Sequence, residues 1–241
     1  MKALFRTIAA VALAAVSSFA ASKDVAARDY NWSGIYLGGH VGGMSSGVDW
    51  TFFDGLVSEG FSHSGSSLTA GGHIGGLYQI NSIVIGAELS WAALDHDKTT
   101  SAGLVIDRSR TSRLDDLFMA TVRFGLALER WQPYIKAGYA SSETSFNTFV
   151  TSTGQRVSQS NGRDHGYTLG TGLEYGLTST IKLGIQYDYV RLDIGDRTQN
   201  VTAGFLTPQT VTEASADIHS VTARLSLKFG GDSNTQYRPL K

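Results

Sequence analysis

Ionisable side chains recur along the chain at positions that alternate with apolar residues, and they are the first candidates for chemistry. Carboxylates beside Lys and Arg side chains form ion pairs. If these alternate positions face an interior closed to water, every charged side chain there needs a partner of opposite charge, because an unpaired buried charge costs several kcal/mol. The set has more bases than acids, and it comprises Glu88, Arg123, Lys136, Glu174, Lys182, Asp188, Arg224 and Lys228.

Two histidines, His40 and His73, occupy the same alternating positions. The register that we expect between their segments sets the two imidazoles opposite each other. Such a pair can bind a metal or ligate haem, which makes both residues candidates for haemin binding. Histidines that are hydrogen-bonded and merely fill an interior are the more common arrangement. We therefore predict no metal site and treat haemin as the one cofactor alternative.

The segments that carry these residues show a period of two. Apolar residues stand at every second position in eight stretches, the first at 35–41 and the last at 221–229. Strict alternation predicts β-strands. The chain has 28 Gly and 3 Pro, which disfavours long helices and proline-rich disorder alike.

The connections between the eight predicted strands alternate between short and long. Tight turns are predicted at 81–82, at 129–130 and around Thr178. This strict alternation is typical of an eight-stranded antiparallel up-and-down transmembrane β-barrel, with apolar side chains facing lipid and charged ones facing the interior. A lipocalin-like secreted barrel, with the faces reversed, is the soluble alternative. The long connections, each of about twenty residues rich in Ser, Thr, Asp and Gly, are 46–65, 95–114, 143–163 and 193–216.

Pairing the strands through the short turns tests the assignment of faces. A register error of one residue would set polar side chains against apolar ones. Instead, small or polar residues meet each other across all three turns. The predicted partners are Gly75 with Glu88, Arg123 with Lys136, and Glu174 with Lys182.

Aromatic residues cluster at the two ends of the predicted strands, as expected for rings at the two membrane interfaces. Core aromatics are the alternative. The predicted interface residues near the short turns are Trp32, Tyr78, Trp131, Tyr175 and Phe229, and those near the long loops are Trp91, Tyr139 and Tyr189.

The first residues predict export. Lys2 and Arg6 precede an apolar run at 8–16, and small residues follow it, which is the pattern of a secretory signal peptide. The run is too short to span a membrane as a helix. We predict a signal peptide at 1–20, a periplasmic lead at 21–31, the barrel at 32–229 and a polar periplasmic tail at 230–241.

Charge and cysteine content limit the function. Removing residues 1–20 leaves 18 basic and 21 acidic residues, a net charge of −3, which does not suggest nucleic acid as a partner. The exported chain has no cysteine, which excludes a disulfide framework and thiolate chemistry.

The stretch NWSGIYLGGHVGG, residues 31–43, carries a family resemblance. Gly38 and Gly42 occupy positions of the predicted strand that face the barrel interior, as do Tyr36 and His40, so the small residues leave room for the large ones. The motif from Trp32 onwards resembles the start of the small outer-membrane immunogenic or opacity-like β-barrel proteins of Gram-negative bacteria. The resemblance extends to the closing strand RLSLKF. It implies a surface antigen or structural outer-membrane protein, with haemin binding in some members.

The sequence therefore predicts a structural protein of the cell outer membrane that contributes to envelope integrity and exposes four long loops. Its expected partners are outer-membrane lipid, lipopolysaccharide, the barrel-assembly machinery and a host or surface ligand contacted by the loops. Haemin binding, small-solute passage and adhesion are alternatives. A lipid-modifying enzyme is less favoured, because no nucleophile elbow or spaced triad accompanies the rim histidines.

Overall fold

The computed structural model describes residues 30–53, 58–101, 108–150, 156–194, 197–201 and 209–230, which form one antiparallel sheet. β1 pairs with both β2 and β9, so the sheet closes on itself. The strands are β1 (Gly34–Phe53), β2 (Ser58–Ile80), β3 (Ile83–Ser101), β4 (Arg108–Leu126), β5 (Trp131–Val150), β6 (Arg156–Gly176), β7 (Ile181–Ile194), β8 (Arg197–Val201) and β9 (Gln209–Phe229).

The short strand β8 continues β7. Ile194 pairs with Ala214 of β9, and Arg197 pairs with Val211, three residues further along both strands. The two strands therefore share one register against β9 and together count as a single strand of the barrel. The described sheet is an eight-stranded antiparallel barrel, which confirms the predicted fold class. The predicted signal peptide and the tail after Gly230 lie outside the described residues.

The faces of the barrel are arranged as the alternation predicted. On β4, Val122 is 66% exposed, whereas the next residue, Arg123, is 3% exposed. On β9, Leu225 is 52% exposed and Arg224 is 4% exposed. Apolar side chains thus cover the outside. On β9 they occupy alternate positions from Val221 to Phe229, a length that fits the 9–11 residues with which a tilted strand crosses a bilayer.

The strands run well beyond this apolar band, which corrects the prediction of four twenty-residue loops. β1 continues to Phe53 and β2 begins at Ser58, so most of 46–65 is strand. The other three predicted loops are likewise strand over most of their length. The sheet extends because backbone hydrogen bonding does not depend on side-chain polarity, so a ladder continues through Ser- and Thr-rich sequence.

Two of the three turns have the predicted register, and the third does not. Gly75 pairs with Glu88, and Arg123 with Lys136. Glu174, however, pairs with Gly184 rather than Lys182. The connection there spans four residues, 177–180, in which the Thr178 hydroxyl accepts hydrogen bonds from two backbone N–H groups. Because side chains alternate between the two faces of a strand with a period of two, a shift of two residues leaves both the Glu174 and the Lys182 side chains facing the interior.

The predicted placement of Trp32 at the membrane interface is wrong, because its side chain is fully buried. Gly34 has φ +141°, and a Cβ there would lie 2.6 Å from the Phe229 carbonyl oxygen. This conformation suits glycine and turns the preceding residues across the end of the barrel. The Gln79 side chain accepts a hydrogen bond from the Trp32 backbone N–H at 2.8 Å. The Trp-Ser-Gly motif thus directs a ring into the lumen.

Gly38 lies where the strands approach each other closely at the interior surface. A Cβ there would meet the Leu225 carbonyl oxygen and would lie 2.7 Å from His73 Nε2. At Gly43, on the same strand, no atom lies within 4 Å of the point that a Cβ would occupy. We expect Gly38→Ala to lower the free energy of unfolding by about 1–3 kcal/mol through overpacking. Gly43→Ala is the control, and equal effects in denaturant titrations would contradict the close approach.

Candidate functional site in the barrel interior

Seven charged side chains from six strands meet inside the barrel, and we call them the charge layer. Each projects from an inward position of its strand, and each is at most 4% exposed. The closed sheet brings them together from positions up to 136 residues apart in sequence. The charge layer consists of Glu88 on β3, Arg123 on β4, Lys136 on β5, Glu174 on β6, Lys182 and Asp188 on β7, and Arg224 on β9.

Glu88 is the centre of the charge layer. Its Oε2 lies 3.0 Å from Arg123 Nη1 and 2.5 Å from Arg224 Nη2. Lys136 Nζ lies 3.7 Å from Oε1, and the Tyr36 hydroxyl donates a hydrogen bond to Oε2 at 2.7 Å. One carboxylate therefore faces three cations and a phenol, which ties β1, β4, β5 and β9 to β3.

The other two carboxylates extend the charge layer towards β6 and β7. Glu174 lies 3.0 Å from Arg123 Nη2 and 3.1 Å from Lys182 Nζ, so the predicted pair of Glu174 and Lys182 forms diagonally despite the shifted register. Asp188 Oδ1 lies 3.0 Å from Lys136 Nζ. Arg123 and Lys136 each bridge two carboxylates, and the seven groups form one connected network.

Tyr134 and Gln186 support the charge layer, and neither was predicted from the sequence as a site residue. The Arg123 guanidinium lies 3.7 Å from the centre of the Tyr134 ring, within cation–π range. The Tyr134 hydroxyl donates a hydrogen bond to Gln186 Oε1 at 2.7 Å, and Gln186 Nε2 donates to Asp188. Tyr134 is two residues from Lys136, and Gln186 is two residues from Asp188. The alternation along each strand could therefore have assigned both side chains to the interior.

An aromatic plug closes the lumen at the end of the barrel that carries the short turns, which we call the turn end. Trp32 packs edge-on against Tyr30 with ring centres 4.6 Å apart. Both rings belong to a buried cluster with Tyr36, Leu77 and Val84. Lys228, the eighth predicted interior charge, lies here rather than in the charge layer. It donates to the Asn31 carbonyl oxygen, with its ammonium 4.7 Å from the centre of the Tyr30 ring.

On the opposite side of the charge layer, towards the far end of the barrel, the interior is apolar. Its side chains come from six strands and are at most 8% exposed. The sequence did not predict this feature, because most other inward-facing positions of the strands are small or polar. The apolar cluster consists of Met44, Leu94, Leu117, Met119, Ala140, Val190, Leu192, Ala216 and Ile218.

His40 and His73 lie between the charge layer and the apolar cluster. They are diagonal rather than opposite, because His73 pairs with Gly38 and His40 with Gly71. Their Nδ1 atoms are 3.4 Å apart and their ring centres 5.6 Å apart, so the rings meet edge to edge. His73 Nε2 is 2.8 Å from the Ser226 hydroxyl. In the described part of the chain, no three His, Asp or Glu side chains form a group suited to a metal ion.

The remaining predicted interface aromatics lie on the outer surface, exposed or half-buried. Trp131 and Tyr175 contact each other at the turn end, with ring centres 4.7 Å apart. Towards the far end, the Tyr189 hydroxyl donates to Asp217 at 2.6 Å, and Trp91 Nε1 donates to Asp116 at 3.3 Å. The apolar rings thus face outwards while their polar atoms find partners at the border of the band, as in a membrane interface.

A closed antiparallel barrel with an apolar outer band and an ionic interior defines a transmembrane β-barrel of the outer-membrane class. The chain belongs to the outer membrane protein beta-barrel domain family, whose sequence profile matches residues 9–229. Its place is therefore the outer membrane of a Gram-negative cell.

Curated relatives and solved structures are similar to the chain. The 31 kDa outer-membrane immunogenic proteins of Brucella melitensis biotype 1 and Brucella suis biovar 1 are each 28% identical over 241 residues, covering 94% of this chain and 96% of each relative. OprG from Pseudomonas aeruginosa has a TM-score of 0.49 at 14% identity, covering 86% of this chain and 99% of that one. Neisserial surface protein A has a TM-score of 0.38 at 17% identity, covering 82% and 98%.

Proposed function

We propose that the protein is a sealed structural barrel of the outer membrane that contributes to envelope integrity and displays an antigenic surface at its far end. The observation that carries this proposal is the filled interior. The aromatic plug, the charge layer and the apolar cluster succeed one another along the lumen, and the side chains of each are almost fully buried. A barrel filled in this way stabilises the membrane without serving as a pore.

The orientation in the membrane belongs to the same proposal. Residues Tyr30 and Phe229 lie at the turn end, together with all three short turns. Outer-membrane barrels have short periplasmic turns and longer external connections. Both termini are therefore periplasmic in our proposal, and the extended strands project outside the cell, where a host or surface ligand can contact them.

The name of the two Brucella relatives supports the antigenic part of the proposal, since those proteins are called immunogenic. The outer band supports outer-membrane lipid and lipopolysaccharide as partners, because Leu225, Val122 and their neighbours offer hydrocarbon surface. The barrel-assembly machinery is a further proposed partner, since a closed barrel must be inserted from the periplasm.

A planar lipid bilayer tests whether the barrel is sealed. We expect the refolded mature protein to give no steady unitary currents, because ions would have to displace the charge layer and the apolar cluster. Incorporation is verified by heat-modifiable gel mobility of protein recovered from the same vesicles, and protein-free detergent is the blank. Reproducible unitary conductance steps from verified incorporated protein would contradict the sealed barrel.

The cellular role is tested by deleting the gene. We expect the deletion strain to leak periplasmic enzyme and to become sensitive to detergent, and the wild-type gene to restore the barrier. The matched control is complementation with the Glu88→Gln gene, whose product we expect to be unstable. An intact barrier in the deletion strain would refute the structural role.

Haemin binding by His40 and His73 stays a prediction from the sequence. Each imidazole has its Nδ1 turned to the other, and His73 is also engaged by Ser226. These contacts leave the pair inside a filled lumen, so no observation favours haemin over the structural role.

A further inference from the structure

The charge layer is not electrically balanced. It holds four cationic side chains and three carboxylates, which leaves one excess positive charge when all seven are ionised. Adding the other buried charged residues of the described chain, Lys228 and Asp164, does not change this excess. A buried charge without a counterion is strongly unfavourable, because the surrounding protein solvates it far less than water does.

Unused donors accompany the excess charge. Arg224 Nε and Arg123 Nε are both buried, and neither has a hydrogen-bond acceptor within the described residues. Glu88, which contacts both arginines, already faces three cations. Buried polar groups in folded proteins nearly always find a partner, and an orphan donor commonly indicates an ion or a water molecule.

A narrow cavity lies on the far-end side of the charge layer. Its floor includes Arg224, and its walls carry the hydroxyl groups of Ser90, Ser220 and Thr222. Apolar side chains such as Met119 form its roof. The enclosed part has room for a single ion or water molecule rather than an organic ligand.

We propose that this cavity binds one small monovalent anion of halide size, and that the anion neutralises the charge layer. Arg224 supplies the positive charge, and the wall hydroxyls supply hydrogen-bond donors. Asp188 also lines the cavity, but Lys136 and Gln186 engage its two oxygens, so its charge is matched within the charge layer. A monovalent ion restores balance, whereas a divalent one would overshoot it.

Anomalous scattering locates the ion directly. Crystals of the mature protein grown in bromide instead of chloride should show an anomalous peak in the cavity next to Arg224. Peaks confined to the outer surface would mean an adventitious ion only and would overturn the proposal. The Ser220→Leu variant fills the cavity without changing its charge and should lose the internal peak.

Thermal unfolding then tests neutralisation in solution. At equal ionic strength, we expect the unfolding midpoint of the wild type to be about 5 °C higher in sodium chloride than in sodium gluconate, because an anion that binds the folded state stabilises it. Lys182→Met removes one cation and leaves Glu174 paired with Arg123, so its chloride effect should vanish.

Arg163→Gln is the matched control, since it removes a cation whose side chain is 56% exposed, and it should keep the full chloride effect. Equal midpoints of the wild type in both salts would overturn the proposal, and so would an undiminished chloride effect in Lys182→Met. If Lys182→Met does not fold, Ser220→Leu takes its place, and it should unfold at the same temperature in both salts.

Discussion

Replacing Glu88 by Gln is expected to lower the free energy of unfolding by about 3–5 kcal/mol, the effect of removing one partner from a buried ionic network. The amide is nearly isosteric with the carboxylate, so the change removes charge rather than volume. Arg123, Arg224 and Lys136 would then share the two remaining carboxylates of the charge layer. Urea titration of the protein folded in phosphatidylcholine vesicles, followed by tryptophan fluorescence, measures the difference.

Glu143→Gln is the matched control for this loss. Glu143 also faces an arginine, but the Glu143 and Arg163 side chains are 52% and 56% exposed and 3.9 Å apart. Exposed pairs of this kind contribute about 0–1 kcal/mol. If the two Glu→Gln variants lost similar stability, the charge layer would not be the desolvated network that the geometry describes.

Replacing Val122 by Arg is expected to cost about 2–4 kcal/mol, because the new charge would lie against the hydrocarbon core of the membrane. Val122 is on the outer face of β4, with Ala87 and Ala137 as its cross-strand neighbours. These small side chains offer the guanidinium no partner. Equilibrium unfolding in lipid vesicles measures the cost, and the same titration in detergent micelles shows how much of it depends on a bilayer.

Leu128→Arg provides the comparison at the border of the apolar band. Leu128 follows β4 at the turn end and is 54% exposed, so an arginine there reaches the headgroups. We expect a cost of about 0–1 kcal/mol at this depth. A Val122→Arg variant as stable as Leu128→Arg would mean that the outer face of β4 does not meet lipid.

Much of the fold could be predicted because each strand of a barrel has only two faces, one towards the lumen and one towards the outside. Once Arg123 was assigned to the interior, every second residue of β4 followed, and the two-residue turn at 81–82 set the register of β2 against β3. The four-residue connection at 177–180 shifted the register by two. Turns of that length admit several backbone paths, and alternation does not distinguish a shift that preserves parity.

The features that the sequence did not predict depend on the backbone or on distant contacts. The burial of Trp32 depends on the conformation of Gly34, which hydropathy does not report. The long strand extensions are held by backbone pairing that polar side chains neither require nor prevent. The apolar cluster around Met119 forms only when the six strands that contribute to it close around the lumen, although each of its residues occupies an inward-facing position.

The most direct test of the inverted barrel uses valines that the chain already provides on both faces. Val122 is 66% exposed on the outside, whereas Val84 and Val190 are each 1% exposed inside. In methyl-labelled protein reconstituted into lipid nanodiscs, we expect nuclear Overhauser contacts between acyl-chain protons and the methyl groups of Val122, and none to those of Val84 or Val190. Acyl-chain contacts to Val84 and Val190 with none to Val122 would contradict the inversion on which the fold and the proposed function depend.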